Sequence, residues 1–258
     1  MTDPLRLRIS DRTTLEYRDA PWDQRTLGYP CLEITSLIGT DEAELAALLA
    51  RFDAEADRHD AGFAYTRVSG DAKAQRRALS EAGFYHAESS YRVAHSQVQR
   101  ATATDRYLRR GTELRPALET DFEAIADILE RAFEHGRLHE DLYITRELAG
   151  LRYRRWLPDL VAQHAEIYAY VAGSEVIGLH VQRRSGDVAD LIVTGVKSSH
   201  ALMGVPLWAE VMRLIRSQGV REARTLISAA NVPIMNLYSR LEFTFQELLC
   251  GYHKRFAR

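Results

Sequence analysis

The sequence lacks any continuous apolar run of about 18 residues, so it contains no candidate membrane-spanning helix. Its first residues, MTDPLRLRISDRTTLEY, also lack the apolar segment that marks a secretory signal peptide. We therefore expect a soluble protein of the cytoplasm.

Cysteine and net charge are both scarce. The two cysteines, Cys31 and Cys250, show no metal-ligand spacing and form no disulfide framework, so no metal site is expected. The net charge is −2, which gives no bulk electrostatic reason to expect a nucleic-acid or membrane partner. Apolar residues are plentiful, at 46% of 258 positions, enough for the core of one large domain or two small ones.

A polar, arginine-rich stretch divides the chain into two parts. Residues 100–115 hold five arginines and show no apolar periodicity. This composition predicts a linker over 99–112, with a solvated helix as the alternative. The parts on either side, 1–98 and 113–258, are predicted to be separate domains.

Apolar periodicity predicts strands and helices in both domains. The first domain is predicted to contain strands at 32–38, 61–69 and from Tyr85, and helices at 41–59 and 71–84. The second is predicted to contain strands at 114–118, 188–197, 223–230 and 245–256, a hairpin at 166–184, and helices at 122–133, 148–163, 205–220 and from Asn231. Pro158 predicts a kink or break in its helix. This order predicts a mixed α/β (α+β) fold with a mostly antiparallel central sheet flanked by helices.

The two domains share an ending of helix, Gly-Phe or Glu-Phe, and strand. ALSEAGFYHAESSYRV shows it in the first domain and LYSRLEFTFQELLCGY in the second. The repeat is weak, and it indicates either a duplicated fold or a chance recurrence of a common motif.

DLIVTGVKSSHALMGVPLWAEVMRLI, residues 190–215, predicts a buried strand, a loop and an amphipathic helix. The first N–H groups of a helix have no internal partner and attract anions such as phosphate. Gly204 allows a ligand close to the backbone, and Pro206 fits a first helical turn. Gly195 suits a strand bulge. An ordinary strand–helix connection is the alternative.

NVPIMNLYSRLEF, residues 231–243, places Asn231 seven positions before Tyr238. On an α-helix that spacing is about 20° short of two full turns, so both residues project from about the same face. Asn is a favoured N-cap. The spacing alone is consistent with a capped helix carrying a core tyrosine.

Together these segments resemble the GCN5-related N-acetyltransferase (GNAT) superfamily. The family pattern N-x-x-A-x-x-x-Y-x-x-x-G-F falls on Asn231, Ile234, Tyr238, Glu242 and Phe243. Its V-x-x-x-x-R-x-x-G-x-G pattern falls on Val196, Ala201, Gly204 and Pro206. LRPALETDFEAIADILERAF resembles the first strand and helix of the fold.

A narrower resemblance is to the tandem-domain TDP-amino-sugar N-acyltransferases, the group of TDP-fucosamine acetyltransferase. FEHGRLHEDLYITRELAGLRYRRWL and APWDQRTLGYPCLEI carry it. It implies a degenerate GNAT-like domain at 1–98, a catalytic domain at 113–258 and a homodimer. It also implies transfer of a short acyl group from coenzyme A to the amine of a nucleotide-linked sugar.

The resemblance implies roles for named residues. Tyr238 would protonate the departing thiolate, and a backbone N–H near Val196 would polarise the thioester carbonyl. Binding of acetyl-CoA or another short acyl-CoA is implied for Val196, Met203, Gly204, Val205, Asn231 and Tyr238. Acceptor binding is implied for Arg137, His139 and Asp141.

Three residues depart from the family pattern. Ala201 replaces Arg or Gln, and Pro206 replaces a small residue and removes one N–H donor from the pyrophosphate loop. Glu242 replaces Gly before Phe243, so we expect this helix to end differently from a Gly-ended helix. Two other functions stay open: acylation of another small-molecule or peptide amine, and acyl-CoA binding without turnover.

Overall fold

Strands and helices follow the apolar periodicities of the sequence in the computed structural model, which describes residues 4–257. The strands are β1 (Leu5–Ser10), β2 (Thr13–Asp19), β3 (Cys31–Ile38), β4 (Phe63–Ser69), β5 (Tyr85–His95), β6 (Thr112–Pro116), β7 (Glu166–Ala172), β8 (Glu175–Ser185), β9 (Val188–Val196), β10 (Glu222–Ser228) and β11 (Thr244–Arg255). The helices are α1 (Pro21–Leu27), α2 (Glu42–Arg58), α3 (Lys73–Glu81), α4 (Phe122–Arg131), α5 (Arg146–Ala162), α6 (Gly204–Ser217) and α7 (Val232–Arg240).

The chain folds into two compact units that are discontinuous in sequence. The described residues of unit 1 are 4–90, 136–144 and 247–257, and those of unit 2 are 91–135 and 145–246. The unit boundary therefore falls inside β5 and inside β11. The predicted domains, 1–98 and 113–258, are continuous in sequence, whereas these units are not. The predicted domain boundaries stay a prediction.

Unit 1 is a sheet in the order β1-β2-β3-β4-β11-β5 with helices α1, α2 and α3. β3 and β4 run parallel, whereas the pairs β1–β2, β2–β3 and β4–β11 are antiparallel. Its core is an apolar cluster that includes Leu15, Leu32, Leu48 and Phe52, all fully buried or nearly so. Burial of such side chains is the main source of stability for the unit.

Unit 2 is a sheet in the order β5-β10-β9-β8-β7-β6 with helices α4 to α7. β9 and β10 run parallel, and β6–β7, β7–β8 and β8–β9 are antiparallel. One apolar cluster contains α6 residues such as Trp208 and Met212 together with Tyr238 of α7, and a second packs α4 and α5 against β7 and β8. The predicted mixed, mostly antiparallel sheet with flanking helices is confirmed.

Several local predictions need correction. β1, β2 and α1 were not predicted, although LRLRIS alternates in the way expected of a strand. Pro158 does not break its helix, because α5 continues through it to Ala162. Within the predicted linker, which stays a prediction, Ala103–Tyr107 forms a 3-10 turn, and Val98 just before it is fully buried in the unit 2 core.

Candidate functional site

β9 and β10 stop pairing partway along their length. The last paired residues are Arg224 and Asp190, and the Oγ1 atom of Thr225 then donates a 2.8 Å hydrogen bond to the carbonyl of Leu191. Ile192 follows as a bulge against β8. From there to Val196, β9 stays paired with β8 but is no longer paired with β10. This leaves a stretch of β9 backbone at which a ligand could form strand-like hydrogen bonds.

Gly195 does not cause this divergence, which corrects the prediction of a bulge there. It pairs regularly with Leu179. A Cβ atom on Gly195 would lie 2.7 Å from the ring of Phe133, so packing requires the glycine.

The N-terminus of α6 follows the end of β9 through the 3-10 segment Ser198–Met203. Met203 occupies the N-cap position without a side-chain hydrogen bond, and the first turn carries no acidic residue. Gly204 is the first helical residue, and a Cβ atom added to it would meet open space. Packing within the chain thus does not require this glycine. The absence of a side chain would let a ligand come close to the backbone here.

Asn231 caps α7 as the sequence predicts. Its Oδ1 atom accepts a 3.3 Å hydrogen bond from the N–H of Ile234, and Pro233 lies in the first turn. The cap uses the carbonyl oxygen of the side chain, so the amide NH₂ group is not consumed by it.

Tyr238 is buried beneath the divergence of β9 and β10. Its side chain is 3% exposed and packs edge-on against Trp208 and Phe243 at ring distances of 4.9 and 4.6 Å. Its hydroxyl lies close to the side chain of Thr225, the residue whose hydroxyl bonds to the carbonyl of Leu191. Burial raises the pKa of Tyr238 above its ordinary value, so the phenol stays protonated.

α7 ends in a turn that the sequence did not predict. Glu242 adopts a left-handed φ of 62°, and the N–H of Phe243 donates to the carbonyl of Tyr238 at 3.0 Å. At the end of α3, Gly83 has a φ of 82°, and Phe84 donates to Leu79 at 2.9 Å. The expectation that Glu242 would change the turn is therefore wrong, because Glu242 takes the conformation that Gly83 takes in unit 1.

Unit 1 has the same strand divergence, but the helix that follows it has a side-chain cap, unlike α6. Thr66 of β4 donates to the carbonyl of Ile34 of β3 at 3.0 Å, at the last paired position of these parallel strands. The helix that follows β3 is capped by Asp41, whose Oδ1 atom accepts from the N–H of Glu44 at 2.8 Å. Glu42 and Glu44 place further negative charge in its first turn. Such a terminus is already occupied by carboxylates and repels a phosphate.

The predicted acceptor residues lie in unit 1, in the loop 136–144. Arg137 has a side chain only 12% exposed, pairs with the buried Asp23 at 2.6 Å and stacks over the ring of Tyr65 at 3.6 Å. His139 is half-buried in the same loop.

Asp141 is buried in a network. Its Oδ2 atom accepts from the hydroxyl of Tyr85 at 2.7 Å and lies 2.5 Å from Nδ1 of His253. Its Oδ1 atom accepts from the N–H of Tyr143 at 2.7 Å. These donors hold the pKa of Asp141 below its usual range in spite of burial, so it is ionised.

Thr225 and His253 are the residues that sequence reasoning missed. Thr225 lies in a buried-strand pattern with no motif of its own, and only the β9–β10 register shows its position. His253 lies in the final strand, where YHK gives no signal of an interaction with Asp141, which is 112 positions earlier. Among residues 4–257, no cluster of three or more His, Cys, Asp or Glu residues is placed to hold a metal ion.

Comparison with known proteins identifies the fold. No protein-family profile matches the chain. The chain is 26% identical over 115 residues to the mycothiol acetyltransferase of Corynebacterium glutamicum, a match over 43% of this chain and only 38% of that protein.

Solved structures match over nearly the whole chain. A GCN5-related N-acetyltransferase from Sphaerobacter thermophilus has a TM-score of 0.65 and 14% identity, covering 96% of this chain and 82% of that one. A tandem GNAT protein from the clavulanic acid biosynthesis pathway has a TM-score of 0.63 and 15% identity, covering 96% and 80%. The chain therefore has the two-half GNAT fold. None of the described helices is long and apolar enough to cross a membrane.

Proposed function

We propose that the protein is an N-acyltransferase that moves an acetyl or other short acyl group from coenzyme A to an amine, with the coenzyme bound by unit 2. The observation that carries the proposal is the position of Tyr238, which is buried close to Thr225, the residue whose hydroxyl donates to the carbonyl of Leu191. The phenol therefore lies near the point where β9 leaves β10. The likeness to N-acetyltransferases in fold supports the same activity.

The residues present fit such a coenzyme. The bare N-terminus of α6, with Met203, Gly204 and Val205, offers N–H groups to a pyrophosphate. The unpaired stretch of β9 that ends at Val196 offers backbone groups to an amide-containing arm. The carboxamide of Asn231 has an NH₂ donor that the helix cap leaves available for the same arm. Pro206 contributes no N–H, so this loop holds a phosphate with one donor fewer than the family pattern.

In the proposed reaction, the nitrogen of a neutral amine attacks the thioester carbonyl. A C–N bond forms, the C–S bond breaks, and the amine loses a proton to a base. A backbone N–H near Val196 stabilises the oxyanion. Tyr238 gives its proton to the departing thiolate. The raised pKa of Tyr238 opposes transfer to a weakly basic group, so we expect the proton to move only as charge develops on sulfur.

For the acceptor we propose a nucleotide-linked amino sugar, bound with help from Arg137, His139 and Asp141. The resemblance of residues 133–157 to TDP-amino-sugar N-acyltransferases supports this class. Another small-molecule amine and a peptide amine are the alternatives. A cytoplasmic location and a homodimer stay predictions.

A second candidate function is acyl-CoA binding without turnover. Two observations favour it: the side chain of Tyr238 is only 3% exposed, and Pro206 removes one N–H donor from the phosphate loop. The experiment that separates the two is titration with acetyl-CoA by calorimetry, followed by a thiol-release assay on TDP-amino sugars, free amino sugars, alkylamines and peptides. Binding with release supports the enzyme, and binding without release from any amine supports the second function. Absence of coenzyme binding would refute both.

A further inference from the structure

Unit 1 contains a buried polar cluster that the proposed coenzyme site does not use. The cluster consists of Arg137, Asp141, His253, Tyr65 and Tyr85. Three members lie on strands β4, β5 and β11, and two lie in the loop 136–144. We call it the unit 1 polar cluster.

His253 has a defined proton arrangement in this cluster. Asp141 is ionised, so it accepts a hydrogen bond and the proton on His253 lies at Nδ1. Burial lowers the pKa of His253 below its ordinary value, although Asp141 opposes the change, so the ring is neutral at neutral pH. In a neutral ring with the proton at Nδ1, the Nε2 atom carries a lone pair and can only accept a hydrogen bond.

The Nε2 atom of His253 is buried and has no hydrogen-bond partner in the protein, and the side chain is fully buried. The ring packs edge-on against Phe63 at 4.9 Å and against Tyr65 at 6.3 Å. A buried polar atom without a partner destabilises the folded state, so native structures seldom keep one without a reason.

A second unpaired polar atom belongs to the same cluster. Nη1 of Arg137 is buried without a partner, while Nη2 of the same guanidinium pairs with Asp23. The guanidinium stacks on the ring of Tyr65, which is also in contact with His253. The cluster therefore offers one unpaired acceptor, Nε2 of His253, and one unpaired donor, Nη1 of Arg137.

We propose, resting on the acceptor role given above to Arg137 and Asp141, that the unit 1 polar cluster binds a hydroxyl group of the acceptor, the hydroxyl of an alcohol or of a sugar. A hydroxyl donates one hydrogen bond and accepts others, so it is the neutral group that can serve both kinds of unpaired atom, the lone pair of His253 and the N–H of Arg137. An anion satisfies only Arg137 and is repelled by Asp141. An ammonium group satisfies only His253 and is repelled by Arg137. The loop 136–144 is the part of the cluster outside regular secondary structure.

The experiment uses the full chain labelled with ¹⁵N and follows the ring nitrogens of His253 by long-range ¹H–¹⁵N spectra. The probes are D-glucose and glycerol, which distinguish a sugar from a simple alcohol, together with acetate, inorganic phosphate and methylammonium. We expect the Nε2 resonance to shift with one or both hydroxyl probes and to saturate. A shift with only an anion or only methylammonium overturns the proposed ligand class, and no shift with any probe overturns the site.

Two matched substitutions test the assignment of atoms. His253→Asn places an amide N–H where Nδ1 lies, so it keeps the bond to Asp141 but has no atom at the position of Nε2. Arg137→Lys keeps a positive charge opposite Asp23 and removes the second nitrogen. We expect each to weaken binding of the effective hydroxyl probe about tenfold, measured by calorimetry, with the circular dichroism spectrum unchanged.

His253→Gln is the second variant, because its longer amide reaches the position of Nε2. We expect it to bind the probe more tightly than His253→Asn does. Unchanged affinity in folded His253→Asn would show that Nε2 does not touch the ligand, and the proposal would then fail. These measurements do not involve coenzyme A, so their outcome is independent of the acyltransfer assay.

Discussion

Thr225 donates a 2.8 Å hydrogen bond from its hydroxyl to the carbonyl of Leu191, at the point where β10 and β9 separate. Thr66 and Ile34 make the corresponding 3.0 Å bond between β4 and β3 in unit 1. Each threonine supplies a side-chain donor for a strand carbonyl next to the last paired residues. Both units thus have the strand divergence, and they differ in the helix that follows: α2 has a capping carboxylate and acidic residues in its first turn, whereas α6 has neither.

Substitution of Tyr238 by Phe tests the proposed general acid. Loss of the hydroxyl removes the proton donor for the thiolate, so we expect kcat for thiol release to fall about 100-fold or more. Tyr170→Phe is the matched control, because Tyr170 is also fully buried in unit 2 and its hydroxyl donates a 3.0 Å hydrogen bond to Thr112, away from the proposed site. Equal loss of activity in both variants, or full activity in Tyr238→Phe, contradicts the assignment.

Coenzyme binding at the N-terminus of α6 is tested by placing a carboxylate there. Met203→Asp provides an N-cap and negative charge, as Asp41 does for α2. We expect it to stabilise the helix and to raise the Kd of acetyl-CoA about tenfold, since the carboxylate competes with the pyrophosphate. Met203→Asn caps the helix without charge and is the control. Calorimetry measures both, and equal Kd values for the two variants contradict the proposed site.

Asn231 is proposed to do two things, and two substitutions separate them. Asn231→Ala removes the cap on the N–H of Ile234 and should lower the free energy of unfolding by about 1 kcal/mol. Asn231→Ser keeps a capping oxygen but removes the NH₂ donor. We expect near-native stability for the serine variant and severalfold weaker coenzyme binding for both. If Asn231→Ser binds the coenzyme with native affinity, Asn231 caps the helix but does not bind the coenzyme.

Sequence patterns predicted the elements that position this site because their signals are local. Cap, proline and glycine positions at Asn231, Pro233 and Gly204 define helix starts, and apolar runs define β9 and β10. The hydrogen bonds of Thr225 and of His253 depend on strand register and on residues far along the chain, and no local pattern encodes them. The unit boundary inside β11 was likewise beyond prediction, because a strand pattern does not specify the core that it joins.

His180 makes stability depend on pH. It is fully buried between Thr194 and Gln182, and burial lowers the pKa of His180 from 6.5 to about 4. Between these pH values the unfolded chain binds a proton that the folded chain does not. The free energy of unfolding should therefore fall as pH falls from 6.5 to 4, by about 3 kcal/mol from this residue.

The measurement is urea unfolding at pH 7, 6, 5 and 4. His180→Gln should show a shallower loss of stability across this window than the native chain. His86→Gln, at an exposed histidine, is the control and should retain the native slope. Parallel slopes for native protein and His180→Gln contradict the assignment.

Glu242 provides a stability test that is independent of function. It has a φ of 62°, a conformation that costs a residue with a Cβ atom about 1 kcal/mol relative to glycine. Glu242→Gly should therefore raise the free energy of unfolding by about 1 kcal/mol. Gly83→Ala is the matched reverse change at the end of α3. The nearest atom to its new Cβ is 3.9 Å away, so its expected loss of similar size reflects conformation alone. If thermal unfolding shows no gain in Glu242→Gly while Gly83→Ala loses stability, contacts of the Glu242 side chain offset the strain of its backbone.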